Sequence, residues 1–255
     1  MKIVIITGAS SGIGAEFVRQ LDREVPGVDE FWLVARRKER MKGLLWELRH
    51  PVRIFAADIR NQSFYEELEQ QMKECQADVK MLVNCAGYGI VGKAADRSKE
   101  ELLGILDVNC KALTALTVLC LPYMNRNARI IQIASSAAYL PQPGFAVYAA
   151  SKSYVLSFSR ALSEELRERE IYVTAVCPGP VDTEFFERAE QYGESYRFKK
   201  YFMMSAKDVV AEAIRASKQK QEVVTPGTAM KLFRVFTKIV PHAVILGFIR
   251  GYFDK

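Results

Sequence analysis

Residues 7–14 read TGASSGIG, and they join a β-branched run at residues 3–6 to a segment with apolar side chains at Ile13, Phe17 and Leu21. That spacing predicts an amphipathic helix directly after a buried strand. Glycines at such a junction let the backbone turn sharply, while free N–H groups at the helix start bind phosphate. A glycine pattern alone is weak evidence, but this strand–turn–helix context favours a dinucleotide site. The candidate phosphate-binding residues are Gly8, Ser10, Ser11, Gly12, Ile13 and Gly14.

Short apolar runs and longer helical patterns alternate along the rest of the chain. The runs predicted as strands are residues 3–6, 31–35, 53–56, 81–83, 130–134 and 172–176, with residues 223–225 as a seventh. This alternation predicts a parallel sheet with right-handed crossovers, and so a doubly wound α/β Rossmann fold with helices on both faces. No repeat or linker divides residues 1–255, and a 49% hydrophobic composition suits one domain of this length.

The composition limits the classes of function without choosing one. A formal net charge of +6 suits an anionic ligand, an acidic membrane surface or a nucleic acid, and nucleic-acid binding has no support beyond this charge. Five cysteines without a CxxC pair and only two histidines predict reduced thiols in a cytoplasmic protein and no metal site. Strand-like residues begin at residue 2 and the apolar run at residues 243–249 is short, so we expect neither a secretory leader nor a membrane span.

The residues after the second predicted strand bear on the choice of cofactor. NAD-binding Rossmann proteins place an acidic side chain there to bond the ribose 2′-hydroxyl. Here Ala35 stands at that position, and Arg36 and Arg37 follow it. A guanidinium binds a 2′-phosphate through paired hydrogen bonds, whereas a carboxylate would repel it. The sequence therefore predicts NADP, with Arg36 as the first choice and Arg37 as the second, against the alternative of a solvated basic turn.

Tyr148 and Lys152 form a candidate acid–base pair on one face of a predicted helix. A free tyrosine has a pKa of ~10, and a nearby ammonium, together with the positive nicotinamide of an oxidised cofactor, would favour the phenolate and lower this pKa. Two such residues by themselves usually mark a solvated helix face. Ser135 lies at the end of the fifth predicted strand, and Asn109 lies inside a long predicted helix, where asparagine is mildly unfavourable and calls for a reason.

Taken together, these motifs resemble the short-chain dehydrogenase/reductase family. The glycines are spaced G-x-x-x-G-x-G rather than G-x-G-x-x-G, and a Y-x-x-x-K pair follows with its serine upstream. The resemblance implies sheet order 3-2-1-4-5-6-7 and hydride transfer to or from nicotinamide. It also implies that Ser135 bonds the substrate oxygen, that Lys152 holds the ribose, and that Asn109 kinks its helix and holds a water. Ser136 is the alternative to Ser135, and the implied catalytic set is Asn109, Ser135, Tyr148 and Lys152.

The same resemblance extends the cofactor site to three further segments. Asp58 and Ile59 after the third strand would meet the adenine. Asn84, Ala86 and Gly87 after the fourth strand would approach the ribose, with Cys85 in place of the family's second asparagine. Pro178, Gly179, Val181 and Thr183 after the sixth strand would hold the nicotinamide carboxamide.

The expected function is reduction of a carbonyl by NADPH, with Tyr148 giving the proton and Ser135 stabilising the developing alkoxide. A cofactor-binding sensor without catalysis is disfavoured because the catalytic set is complete. An epimerase or dehydratase is disfavoured by the glycine spacing and the chain length.

The last third of the chain is expected to select the substrate and the partners. Residues 184–205 form a candidate lid, and residues 226–255 a basic amphipathic tail that caps the pocket, packs on a partner subunit or, less favoured, lies on a membrane. Small residues on the Tyr148 helix predict a homodimer or homotetramer. Aromatic residues of the lid suggest an apolar or aromatic substrate, and the basic residues among them allow it an anionic group. The alternative, which is favoured, is that these aromatics only anchor the lid on the core. They are Phe185, Phe186, Tyr192, Tyr196, Phe198, Tyr201 and Phe202.

Overall fold

A seven-stranded parallel sheet forms the centre of the protein, whose computed structural model describes residues 1–190 and 202–253. The sheet order is β3-β2-β1-β4-β5-β6-β9, which confirms the predicted order, with the strand near residue 223 at its edge. Two short strands, β7 and β8, pair with each other apart from this sheet. The strands are β1 (Lys2–Thr7), β2 (Glu30–Ala35), β3 (Val52–Ala56), β4 (Asp78–Asn84), β5 (Arg129–Ile133), β6 (Tyr172–Val176), β7 (Val181–Asp182), β8 (Met204–Ser205) and β9 (Val223–Val224).

Helices cover both faces of the sheet, as the doubly wound prediction requires. One core contains apolar side chains of α1 and α8, and the other contains side chains of α3, α5 and α6. A π-helical turn, Asp107–Ala112, separates α4 from α5. The helices of the described residues are α1 (Gly12–Glu24), α2 (Lys38–Leu44), α3 (Gln62–Glu74), α4 (Lys99–Leu106), α5 (Leu113–Cys120), α6 (Ala146–Glu165), α7 (Phe185–Ala189), α8 (Ala206–Lys218), α9 (Thr228–Ile239) and α10 (His242–Phe253).

The central strand β1 shows why the strands are almost continuously apolar. Successive side chains of a strand point to opposite faces. Val4 and Ile6 therefore pack in the core with α1, while Ile3 and Ile5 pack in the core with α3. Every one of these four side chains is fully buried, since both faces of the sheet carry helices.

The helical run Lys99–Tyr123 is long and apolar enough to cross a membrane by length and composition. A core helix of a globular protein passes the same test. Here Leu116 and Cys120 are fully buried against the sheet, and the buried Asn109 interrupts the run. Its apolar side chains thus supply the core beneath β4.

Replacing Gly14 with alanine tests how tightly the loop after β1 is packed. A Cβ at Gly14 would lie 2.2 Å from the Gly8 carbonyl oxygen, so the loop would have to shift. We expect Gly14→Ala to lower the free energy of unfolding by about 3 kcal/mol, measured by urea denaturation. Gly43→Ala is the matched control, because a Cβ there meets nothing within 4 Å. If Gly14→Ala were as stable as the wild type and as Gly43→Ala, the claim that this loop has no room for a Cβ at residue 14 would be wrong.

Candidate active site

A cleft of about 1120 Å³ opens at the carboxyl ends of the parallel strands, where the predicted site residues converge. It extends from the β1–α1 loop, past α6, to the tail helix α9. Asn84 and Asn109 lie outside its lining. The predicted residues that line it are Gly8, Ser10, Ser11, Gly12, Ile13, Gly14, Arg36, Arg37, Asp58, Ile59, Ala86, Gly87, Ser135, Ser136, Tyr148, Lys152, Pro178, Gly179, Val181 and Thr183.

The β1–α1 loop forms the phosphate end of the cleft. Gly8 and Gly12 adopt φ angles of 67° and 54°, a left-handed conformation that favours glycine. A Cβ on Gly12 would lie 3.0 Å from Thr183 Cγ2, so this loop and the segment after β6 face each other closely. The Ser11 side chain does not cap α1, and the first N–H groups of this helix therefore suit an anionic ligand.

The two arginines after β2 have different environments. Arg37 Nη2 donates to the Ser11 hydroxyl at 2.6 Å, and its Nη1 donates to a Glu184 carboxylate oxygen at 2.8 Å. Arg40 also bonds Glu184, and these two guanidinium groups lower the pKa of Glu184 to about 2. Arg36 is exposed and lines the cleft without a hydrogen bond or ion pair among residues 1–190 and 202–253. Of the two, Arg36 is the cation available to a ligand.

The side chains of Asn84 and Asp58 both have partners within the protein. The Asn84 side chain is buried and donates from Nδ2 to Thr117 Oγ1 at 3.0 Å, so it supports the cleft floor from below. Asp58 lines the cleft, and its carboxylate is bonded by Arg60, which lowers its pKa. The backbone approach of residues 84, 86 and 87 to a ribose and the contact of Asp58 with adenine stay predictions.

Asn109 lies fully buried in the π-helical turn and joins two segments of the site. Its Oδ1 accepts the Tyr88 N–H at 3.1 Å, and its Nδ2 donates to the Tyr88 carbonyl at 2.9 Å and to Ser151 Oγ at 3.0 Å. A Cβ on Gly87 would lie 3.0 Å from Asn109 Oδ1 and 3.3 Å from Lys152 Nζ. Residue 87 thus passes between these two groups, which leaves room only for glycine.

Tyr148, Ser135 and Lys152 meet at the inner end of the cleft. The Ser135 side chain lies beside the Tyr148 hydroxyl, where it acts to lower the pKa of the tyrosine, and Ser135 Oγ accepts the Ala137 N–H at 3.1 Å. Lys152 Nζ donates to the Ile133 carbonyl at 2.8 Å and lies 5.7 Å from the Tyr148 ring centroid. The pairing of Tyr148 with Ser135 favours Ser135 over Ser136 as the working hydroxyl.

Burial shifts both titratable groups toward their neutral forms. It raises the pKa of Tyr148 to about 12, against the opposing effect of Ser135, and lowers the pKa of Lys152 to about 8. The lowering expected for Tyr148 beside an ammonium and an oxidised nicotinamide stays a prediction, and in the protein by itself burial has the larger effect. The Lys152 ammonium bonds the Ile133 carbonyl rather than the phenol, so desolvation dominates. At neutral pH the Tyr148 hydroxyl holds its proton, as an acid must.

The outer half of the cleft is aromatic, and the sequence indicated only part of it. Phe145 stacks on Tyr148 with ring centroids 4.3 Å apart, a contact that the i, i+3 spacing at the start of α6 could have suggested. Phe185, Phe186 and Phe202 of the predicted lid also line the cleft. Residues 191–201, which carry the other lid aromatics, lie outside the described residues. The tail residues that line it, and thereby cap the pocket, are Ala229, Met230, Leu232, Phe233 and Phe236.

The buried ammonium of Lys152 predicts a pH-dependent stability. The pKa of Lys152 falls from 10.5 to about 8 on burial, so between these values the unfolded chain holds a proton that the folded protein lacks. The free energy of unfolding therefore rises with pH across this window, by about 3 kcal/mol for such a shift. We expect the free energy of unfolding of the wild type, minus that of Lys152→Met, to rise with pH in this window and to be constant below pH 8. If the difference in the free energy of unfolding between the two proteins did not change with pH up to 10.5, the lowered pKa of Lys152 would be wrong.

Known proteins share this architecture over nearly the whole chain. The family model for short chain dehydrogenases matches residues 2–192. An uncharacterized oxidoreductase of Staphylococcus epidermidis is 28% identical over 215 residues, covering 84% of this chain and 90% of that protein. Sulfoacetaldehyde reductase 2 of Chromohalobacter salexigens is 34% identical over 192 residues, covering 72% and 74%. The structure of a short-chain dehydrogenase from Sphingobium yanoikuyae in complex with NADPH is 27% identical with a TM-score of 0.77, covering 100% of this chain and 96% of that one. The chain thus belongs to the short-chain dehydrogenase/reductase family of nicotinamide-dependent oxidoreductases.

Proposed function

We propose that this protein is an NADP(H)-dependent oxidoreductase that interconverts a carbonyl and a secondary alcohol, with Tyr148 as its acid and base. The observation that carries the proposal is that the buried Tyr148 and the Ser135 side chain lie side by side in the lining of one cleft. Two hydroxyls so placed can bind one carbonyl oxygen together. In the direction of reduction, the protonated Tyr148 is then the acid that the reaction requires.

The residues present fit a phosphorylated nicotinamide dinucleotide. The glycine loop and the start of α1 would hold the pyrophosphate. Arg36 would pair with the 2′-phosphate, since no carboxylate follows Ala35 and Arg37 is bonded by Glu184. Lys152 would hold the ribose of the nicotinamide half. The NADPH complex of the Sphingobium protein supports this choice of cofactor. When bound, the reduced nicotinamide supplies the hydride.

The protein's own groups supply the proton and stabilise the developing charge. Tyr148 donates its proton to the carbonyl oxygen as the carbon is reduced, and the Ser135 hydroxyl stabilises the developing alkoxide. The Lys152 ammonium, 5.7 Å from the Tyr148 ring centroid, would then favour the phenolate that remains. The Asn109 amide hydrogens are both used, but its Oδ1 keeps one lone pair beside Lys152 for a water that returns the proton.

The cleft walls favour an apolar or aromatic substrate. Beyond Tyr148 the lining is supplied by rings from three elements, with Phe145 from α6, Phe185 from α7 and Phe233 from α9. Such rings bury large apolar area and stack on planar groups. This is the support for an apolar carbonyl compound as substrate.

We also propose a homo-oligomer that uses α5 and α6. Val118 and Tyr154 are 56% and 42% exposed on these two helices, and Thr114 Oγ1 bonds the Tyr154 hydroxyl at 2.8 Å. Apolar side chains exposed on adjacent helices form a self-complementary surface of the kind that a two-fold dimer buries. The cytoplasmic location stays a prediction.

Replacing Tyr148 with phenylalanine tests the acid. We expect Tyr148→Phe to lose at least ~10³-fold in turnover of an aromatic ketone, because the proton donor is removed. NADPH binding, measured by fluorescence titration, should change little. Tyr154→Phe is the matched control on the same helix, since its hydroxyl bonds Thr114 away from the cleft. Comparable turnover by Tyr148→Phe and Tyr154→Phe would refute the assignment.

Replacing Arg36 with glutamate tests the cofactor. We expect Arg36→Glu to weaken NADPH binding about 100-fold, through loss of a charge pair and addition of a repulsion, with little effect on NADH. Lys38→Glu makes the same change of charge at an exposed position outside the cleft lining. If Arg36→Glu weakened the binding of NADPH and of NADH by the same factor, Arg36 would not bind the 2′-phosphate.

A further inference from the structure

Helix α9 has two apolar faces, and only one of them packs on the protein. Met230, Phe233 and Thr237 face inward, and Met230 and Phe233 line the cleft. Leu232, Val235, Phe236 and Ile239 recur at helical spacing along the other face and are 67%, 53%, 49% and 73% exposed. A stripe of this length that stays exposed on a helix usually marks an interaction surface.

Helix α10 continues this exposed apolar area. Val244 is 47% exposed and Phe248 is 79% exposed, while Ile245 is buried and anchors the helix. We call the exposed side chains of both helices the tail surface, and its members are Leu232, Val235, Phe236, Ile239, Val244 and Phe248.

The charged side chains of the tail are mostly basic. Residues 226–255 contain Lys231, Arg234, Lys238, Arg250 and Lys255 against the single carboxylate side chain of Asp254, and Arg234 lies over the Tyr139 ring on the inner side of α9. Lys231 is offset in part by Glu212 of α8, 3.5 Å away, and Lys238 is exposed. An apolar stripe bordered by cations complements an anionic lipid surface, where apolar side chains enter the acyl boundary and cations meet the headgroups.

A second copy of the chain fits this surface less well. In a two-fold dimer the same patch meets itself, so Lys231 and Lys238 of both copies would share one interface. Against them residues 226–255 offer the single carboxylate side chain of Asp254, and Glu212 lies beside Lys231, so part of that repulsion would remain. The charge pattern therefore favours a lipid bilayer over a partner subunit.

We propose that the tail surface docks this protein on an anionic lipid bilayer, with the mouth of the cleft turned toward the membrane. Leu232 and Phe236 belong both to the tail surface and to the cleft lining, and the cleft residue Phe202 is 44% exposed nearby in the same lining. The cleft thus opens where the apolar stripe begins. This part rests on the proposed function: the substrate is a lipophilic carbonyl compound that enters from the bilayer.

Co-sedimentation with vesicles tests the docking. The full chain is mixed with vesicles of phosphatidylcholine alone or of phosphatidylcholine with phosphatidylglycerol. We expect at least tenfold stronger binding to the anionic vesicles, and loss of this difference near 1 M salt, where the Debye length is about 3 Å. Equal binding to both vesicles, or binding to neither, would overturn the proposal.

Variants outside the cleft lining assign the binding to the tail surface. Val235→Gln with Ile239→Gln removes exposed apolar contacts, and Lys238→Glu reverses a charge, so each should lower binding to anionic vesicles at least tenfold. Trp46→Gln is the control, because Trp46 is 94% exposed on another part of the molecule. The proposal would be overturned if the tail variants bound anionic vesicles as well as the wild type does. It would also be overturned if these variants changed the oligomeric state and kept their vesicle binding.

Turnover separates the docking from the chemistry. We expect Val235→Gln with Ile239→Gln to slow reduction of a long-chain ketone dissolved in anionic vesicles and to leave reduction of a water-soluble aromatic ketone unchanged. Equal rates with the vesicle-bound ketone in wild type and variant would contradict delivery from the membrane. A failure to reduce either ketone would instead contradict the proposed function, while vesicle binding would still report on docking.

Discussion

The side-chain amide of Asn109, buried in the π-helical turn between α4 and α5, holds together the segments that carry the candidate chemistry. It bonds both backbone groups of Tyr88 after β4 and the hydroxyl of Ser151 on α6. Each of these groups would cost about 1–3 kcal/mol if left buried without a partner. Asn109 lies in the π turn Asp107–Ala112 and reaches Ser151 of α6, and such turns are frequent at functional sites. The neighbours of Ser151 along α6 are then fixed as well, and Lys152 Nζ reaches the end of β5.

The ionisable groups at the two ends of the cleft differ in burial, and their pKa values differ accordingly. Desolvation raises the pKa of Tyr148 and lowers that of Lys152, so both groups favour their neutral forms. A bound anion or a developing charge beside them therefore changes their protonation strongly. At the phosphate end, Glu184 is partly exposed and stays ionised between Arg37 and Arg40. That cluster ties the loop after β1 to the start of the lid. It also leaves Arg36 as the unpaired cation beside Ala35 within the described part of the chain.

Much of the fold, and the placement of most candidate site residues around one cleft, could be predicted from the sequence, because both depend on local patterns. Apolar runs such as residues 3–6 identify strands buried on both faces, and the loop with Gly8, Gly12 and Gly14 has its meaning only between a strand and a helix. Contacts between distant residues were not predictable. Arg37 is bonded by Glu184, which is far away in sequence, and Asn84 turns its side chain to Thr117 below the cleft. The rise of the Tyr148 pKa in the protein by itself was not predicted, because it depends on burial, which the helix spacing does not report. The tail pattern indicated an amphipathic helix but not that it would have a second apolar face in solvent.

The central claim is that the cleft joins a nicotinamide cofactor to a carbonyl compound at Tyr148. The most direct measurement is to incubate the protein with NADPH carrying deuterium at both C4 positions and a panel of apolar and aromatic ketones, and to analyse the products by mass spectrometry. The account predicts a secondary alcohol with one deuterium on the former carbonyl carbon. Alcohol without that deuterium, or no alcohol from any ketone under conditions in which NADPH is shown to bind, would contradict it.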